Sequence, residues 1–172
     1  MRAGKIAAAL LTPSLLLGCL AGELQQNEAE KAFSRSAIEA VRIFESACLQ
    51  HRRSPDRSLS RLKELGFSKP DGAKDGRMAR GGVLASARRD RKGVTRCFAS
   101  SPVVDLAAIA TDVHQMMTRR FPGAVTRGSA AGSPAWRVSP KGEPSFVVGV
   151  KAVSQGPGKP VLAIVTLAAP GA

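Results

Sequence analysis

One apolar stripe at helical spacing ends on a cysteine. Phe33, Ala37, Val41, Phe44 and Cys48 recur at intervals of four, four, three and four, the period that lines up side chains on one face of an α-helix. Cys48 is therefore expected to face a core. A second cysteine, Cys97, lies in a stretch of a different period. There Thr95, Cys97 and Ala99 alternate with Val94, Arg96, Phe98 and Ser100, as on the two faces of a strand. A Cys48–Cys97 bond would bind helix to strand and fix a layered α+β core. It would close a loop of about 50 residues, which the loop-entropy account values at about 4 kcal/mol. The alternative is a reactive or metal-binding pair, for which no CxxC spacing exists.

Compartment decides between these readings, and the N-terminus speaks to it. Arg2 and Lys5 precede an uncharged apolar run, Ile6 to Leu17, which the small residues Gly18, Ala21 and Gly22 follow. That order is the order of a secretory signal, and the run is short for a membrane span of about 20 residues. A buried core helix is the competing interpretation. Leu16-Leu17-Gly18-Cys19 resembles a bacterial lipobox, with Leu17 a less usual occupant. Lipidation of Cys19 is the preferred expectation, and cleavage after Ala21 is its rival. Leu20 is not the aspartate associated with inner-membrane retention, so an outer-membrane destination follows from the lipobox. The expected organisation is a signal over 1–21, a polar spacer over 22–30 and one α+β domain over 31–172. Export leaves Cys48 and Cys97 as an even pair in an oxidising compartment, where a disulfide is expected.

Such a staple suits the composition. With one Trp, six Phe and no Tyr, the core must be filled by Ala, Val and Leu, which bury less area each.

The remaining elements follow from periodicity and turn residues. The main helix is expected over Glu28 to His51, with Asn27 and Glu30 as its cap and Pro55 as the break. A short second helix capped by Asp56 or Ser58 runs to Leu65 and stops at Gly66. Lys69 to Arg80 reads as an exposed loop. Gly82–Arg89 and Val94–Ser100 form a hairpin around Gly93. Val103 to Phe121 is a third helix with Ser101 as N-cap and Pro102 at its first position. Ala124 to Ser133 offers at most a short strand at its start. Strands then follow at Ala135–Val138 and Ser145–Ser154, and at Val161–Ala168, whose nearly continuous apolar run places it centrally. The order ααββαβββ implies a mostly antiparallel sheet of about five strands, with two or three helices packed on one face.

The charge is lopsided. The formal net charge is +13, and from Arg52 to Arg96 fourteen Lys or Arg face five Asp or Glu. A field of this sign draws anions: lipid headgroups, lipopolysaccharide, polyanionic polymers or an acidic protein, such as one of the envelope. Export argues against nucleic acid. The candidate anion-binding residues are Arg52, Arg53, Arg57, Arg88, Arg89, Arg91 and Lys92. The competing interpretation is a solvated arginine-rich surface.

No motif commits the chain to catalysis, and no cofactor is expected. G-x-S-x-G, H-E-x-x-H and P-loop patterns do not occur. His114 beside Asp112 is the one candidate general base, in a small periplasmic enzyme; a surface or rim histidine is the plainer interpretation. An accessory subunit of an envelope complex is a third possibility. Phe44-x-x-x-Cys48, Gly66-Phe67 and a later strand with Cys97 resemble a loose group of small exported bacterial proteins without assigned function. The resemblance covers Ile43 to Ser100 and implies the Cys48–Cys97 staple and no activity.

Overall fold

A computed structural model describes residues 31, 35–73, 76–102, 105–154, 156–157 and 161–170. The signal, Cys19, the spacer and the Asn27–Glu30 cap lie outside them. The described chain is α+β, with three helices and a seven-stranded antiparallel sheet.

Helix α1 spans 35–49 and ends in a π-helical turn, Phe44–Leu49. In that turn the Gln50 amide donates to the Glu45 carbonyl at 3.1 Å. Ala37, Val41, Phe44 and Cys48 are all buried, as the stripe requires, and Ala40, Ile43, Ala47 and Leu49 are buried beside them. Helix α2 (Pro55–Glu64) begins at the proline expected to break the chain. Pro55 occupies the first helical position, where its missing N–H costs nothing, and the Ser54 hydroxyl accepts from the Arg57 amide. The cap is thus Ser54 and not Asp56 or Ser58. Gly66 follows with φ +81°, and Phe67 is buried behind it.

The strands are β1 (Arg77–Arg80), β2 (Val83–Arg89), β3 (Val94–Pro102), β4 (Val125–Ala130), β5 (Ser133–Val138), β6 (Phe146–Val153) and β7 (Leu162–Pro170); helix α3 (Leu106–Arg120) lies between β3 and β4. Their spatial order is β1-β2-β3-β7-β6-β5-β4. The C-terminal strand is central, as its apolar run predicts. Two expectations are corrected. The sheet has seven strands and not about five, and the element order is ααβββαββββ and not ααββαβββ. Both additional strands, β1 in the expected 69–80 loop and β4 in the Gly-rich 124–133 segment, are edges. An edge strand has a neighbouring strand on one side only, with just the isolated Ser68–Ala79 bridge on the free side of β1, and needs few apolar residues, so its hydrophobic signal is weak.

Helix α3 also starts later than expected. Ser101 and Pro102 continue the β3 ladder against Ala163 and Leu162. Asp105 is the cap, its carboxylate accepting from the amides of Ala107 and Ala108. Pro102 is tolerated because it stands at the strand end, beyond the last β2 pairing at Leu84–Ser100.

Alternation sorts the sheet into two faces. Ala87, Cys97, Leu167, Val148 and Trp136 form one cross-strand row, and every one is buried. The helices cover this face. Cys48 of α1 is disulfide-bonded to Cys97 of β3 with a Cα separation of 5.4 Å. His114 of α3 stacks on Trp136 with ring centroids 6.2 Å apart, and Phe121 meets Phe146 edge to face at 5.4 Å. Arg80 ties the β1 edge to both N-terminal helices, bonding the Leu65 carbonyl and the Glu39 carboxylate and lying 5.2 Å over the Phe67 ring.

Candidate anion-binding face

The opposite face of the sheet has no helix over it among the described residues. Its central row reads Arg77, Ser86, Phe98, Thr166, Gly149, Ala135 and Gly128 across all seven strands. The next row carries Arg88, Arg96, Ala168, Val147 and Arg137. On the other side run Ala79, Leu84, Ser100, Ile164 and Lys151. The outward positions thus hold five cations, Arg77, Arg88, Arg96, Arg137 and Lys151, and no carboxylate.

The middle of this face is low and its border is high. Ser86, Thr166, Gly149 and Ala168 are small, and Arg77, Arg88, Arg96 and Lys151 are long. The result is a hollow of about 400 Å³ with Phe98 in its floor. Gly149 is packed closely: a Cβ there would lie 3.2 Å from the Thr166 hydroxyl, which donates to the Gly149 carbonyl, so a larger residue would push that hydroxyl aside. Leu84 and Val147 expose large apolar groups on this same face.

Among the described residues, Arg77, Arg88, Arg137 and Lys151 form no salt bridge. Arg96 does. Its Nε lies 2.7 Å from the Asp90 carboxylate in the β2–β3 turn, which also accepts from the Lys92 and Val94 amides. The bond from Arg96, first, and these amides hold the Asp90 carboxyl below the usual carboxylate range.

The seven candidate residues named from sequence are divided by the fold. Arg88 lies on the uncovered face. Arg91 and Lys92 are exposed at the tip of the β2–β3 turn. Arg52, Arg53 and Arg57 gather at the α1–α2 corner, around a shallow depression that also contains Glu143. There Arg52 and Arg53 both pair with the Glu143 carboxylate, and Arg52 also lies over the rings of Phe121 and Phe146, at 5.5 and 5.3 Å. Arg89 donates to the Arg53 carbonyl at 3.4 Å. The corner is therefore partly neutralised and tied to the core, whereas on the uncovered face Arg96 alone is salt-bridged among the described residues. Arg77, Arg96, Arg137 and Lys151 were not singled out from sequence, since each sits on a different strand and only the register unites them.

His114 and Asp112 are not brought together. Two residues apart on a helix of 3.6 residues per turn, they point about 200° apart. His114 is turned toward Trp136, while Asp112 borders an exposed groove with Ile38, Arg42 and Met116. The buried Nδ1 of His114 and Nε1 of Trp136 have no hydrogen-bond partner among the described residues. No group of three or more His, Cys, Asp or Glu is placed to hold a metal ion among the described residues. Among them, no helix is long and apolar enough to cross a membrane. No protein-family model, curated protein or solved structure matches the chain.

Proposed function

We propose that this protein is a non-enzymatic binding module of the bacterial cell envelope, which presents the uncovered face of its sheet to an anionic partner. The observation that carries the reading is the charge of that face: five cations at outward strand positions and no carboxylate. Among the described residues four of the five form no salt bridge, and cations gathered on one surface attract and orient anions over distance and raise association rates. The N-terminal sequence supports placing the module at a membrane through lipidated Cys19.

Co-sedimentation of the full chain with vesicles tests this reading. Binding is expected to vesicles containing phosphatidylglycerol and not to phosphatidylcholine alone. It should fall steeply as salt rises, because screening shortens to about 8 Å at physiological strength. Reversing Arg88 and Lys151 together should weaken it more than reversing Arg91 and Lys92. Absence of binding, or binding unchanged by salt, overturns the proposal. Intact-mass measurement of the exported protein tests the anchor. An acylated N-terminus at Cys19 is expected, and an unmodified chain starting at Gly22 rejects it.

A further inference from the structure

The uncovered face is charged unevenly. Arg77, Arg88 and Arg96 come from three consecutive strands, β1, β2 and β3, so their backbones fall within about 12 Å at the usual strand spacing and rise. They occupy the central row and the row on one side of it. In the row on the other side Leu84 and Ile164 flank the buried Ser100, and Lys151 stands at its end. Beyond it Pro102, Leu162 and Val153 continue the same surface. Phe98 lies in the hollow between the two regions. A cationic corner, an aromatic floor and an apolar strip thus follow one another across a single face.

That sequence of surfaces is complementary to an anionic amphiphile. We infer that the hollow seats one anionic lipid, its phosphate at the Arg77–Arg88–Arg96 corner and its acyl chain along Phe98, Ile164 and Leu162. Arginine suits the headgroup because its planar fork presents several donors to phosphate oxygens. Among the described residues, two of the three guanidiniums, those of Arg77 and Arg88, form no salt bridge that a phosphate would have to displace. A purely acidic peptide would satisfy the arginines and leave the apolar strip uncovered. A neutral lipid would cover the strip and leave the arginines without a counter-charge. The inference rests on the anionic-partner reading above and narrows it to a ligand class and a place.

Monomeric lysophosphatidylglycerol, titrated into the full chain below its aggregation concentration, is the probe, followed by calorimetry and amide chemical shifts. Saturable 1:1 binding is expected, with shifts centred on Phe98, Thr166 and Gly149. It should be at least tenfold tighter than for lysophosphatidylcholine or glycerol 3-phosphate. Arg77→Glu with Arg88→Glu should weaken it tenfold or more. Leu84→Asp, at an exposed position, should weaken lipid binding and leave binding of poly-glutamate unchanged. Thermal melts of each variant check folding. Glycerol 3-phosphate binding as tightly as the lysolipid would reduce the hollow to a phosphate site and overturn the inference. So would lipid binding untouched by the paired arginine reversal. Salt-sensitive binding of poly-glutamate without lysolipid binding would overturn the lipid and retain the anionic-partner reading. Failure of every anion to bind would overturn both.

Discussion

Arg88 and Arg96 stand directly opposite each other on neighbouring strands β2 and β3, both on the face that no described helix covers. Like charges in this relation destabilise a sheet by about 0.2–1 kcal/mol. Asp90 relieves part of that by bonding Arg96, but Arg88 has no salt bridge among the described residues. Arg88→Glu would turn a repulsive pair into an attractive one. The expected result is a gain of about 0.5 kcal/mol, read as a melting temperature higher by about 1–2 °C for a chain of this size. Anion binding should fall in the same variant. Opposite movements of stability and binding are the signature of a residue retained for function. A variant that loses stability would show that the guanidinium of Arg88 is held by contacts that offset the repulsion.

Reduction should matter only once the protein opens. Cys48 and Cys97 are both essentially inaccessible, and 49 residues separate them. Replacing both by serine should cost about 2–5 kcal/mol, measured as a lower denaturation midpoint. The native protein should resist reductant over times in which the denatured protein is reduced at once. Rapid reduction under native conditions would mean that the end of α1 separates easily from β3.

The cysteines also show which parts of the structure were open to sequence reasoning. The helical stripe and the β3 alternation each need only local spacing, and both place a thiol inward. The nearly continuous apolar run of β7 likewise marks a central strand: it is paired with β3 and β6 along both edges, its inward residues are buried under the helices, and its outward ones are half-buried. Edge strands carry no such demand. Arg77–Arg80 holds one buried residue, Met78, and Val125–Ala130 holds none, so neither could be told from a loop. The candidate face was hidden for a further reason. Its cations alternate with residues of the core, at most one per strand, and become a cluster only through pairings among segments far apart in the chain. Local runs such as Arg52-Arg53 and Arg91-Lys92 are conspicuous in sequence, yet the fold places them elsewhere.

Acid should loosen the β2–β3 turn before it affects the core. The Asp90 carboxyl is held below the usual carboxylate range, chiefly by Arg96 and then by the backbone amides. A carboxyl depressed in the folded state contributes stability above its unfolded pKa. That contribution is lost as pH falls through the lower, folded value. Asp90→Asn should flatten this acidic part of the stability profile while preserving the turn, because an amide oxygen still accepts from Lys92 and Val94. The same substitution frees Arg96, so anion binding near neutral pH should strengthen. A carboxyl titration by NMR that places Asp90 at or above the ordinary range would contradict the assignment.

The two arginines at the α1–α2 corner should behave differently despite sharing Glu143. Arg53 is well exposed, its nitrogen is 3.4 Å from the carboxylate, and a pair of that kind is worth little. The Arg52 side chain is only 17 % exposed and lies over the rings of Phe121 and Phe146. Those rings terminate α3 and begin β6, so Arg52 caps the core where α1, α3 and the sheet meet. Cation–π contacts contribute about 0.5–1 kcal/mol each at exposed sites and more when desolvated, and the aliphatic stem adds apolar cover. Arg52→Ala should therefore cost about 1–2 kcal/mol, whereas Arg53→Ala should cost under about 0.5 kcal/mol. Arg52→Lys should recover only part of the loss, because an ammonium cannot stack its plane on an aromatic ring. Neither alanine variant should change anion binding as strongly as reversal of Arg88. Denaturant midpoints measure the first expectation and vesicle co-sedimentation the second. Equal stability losses at the two positions would assign Arg52 to the surface charge rather than to the core.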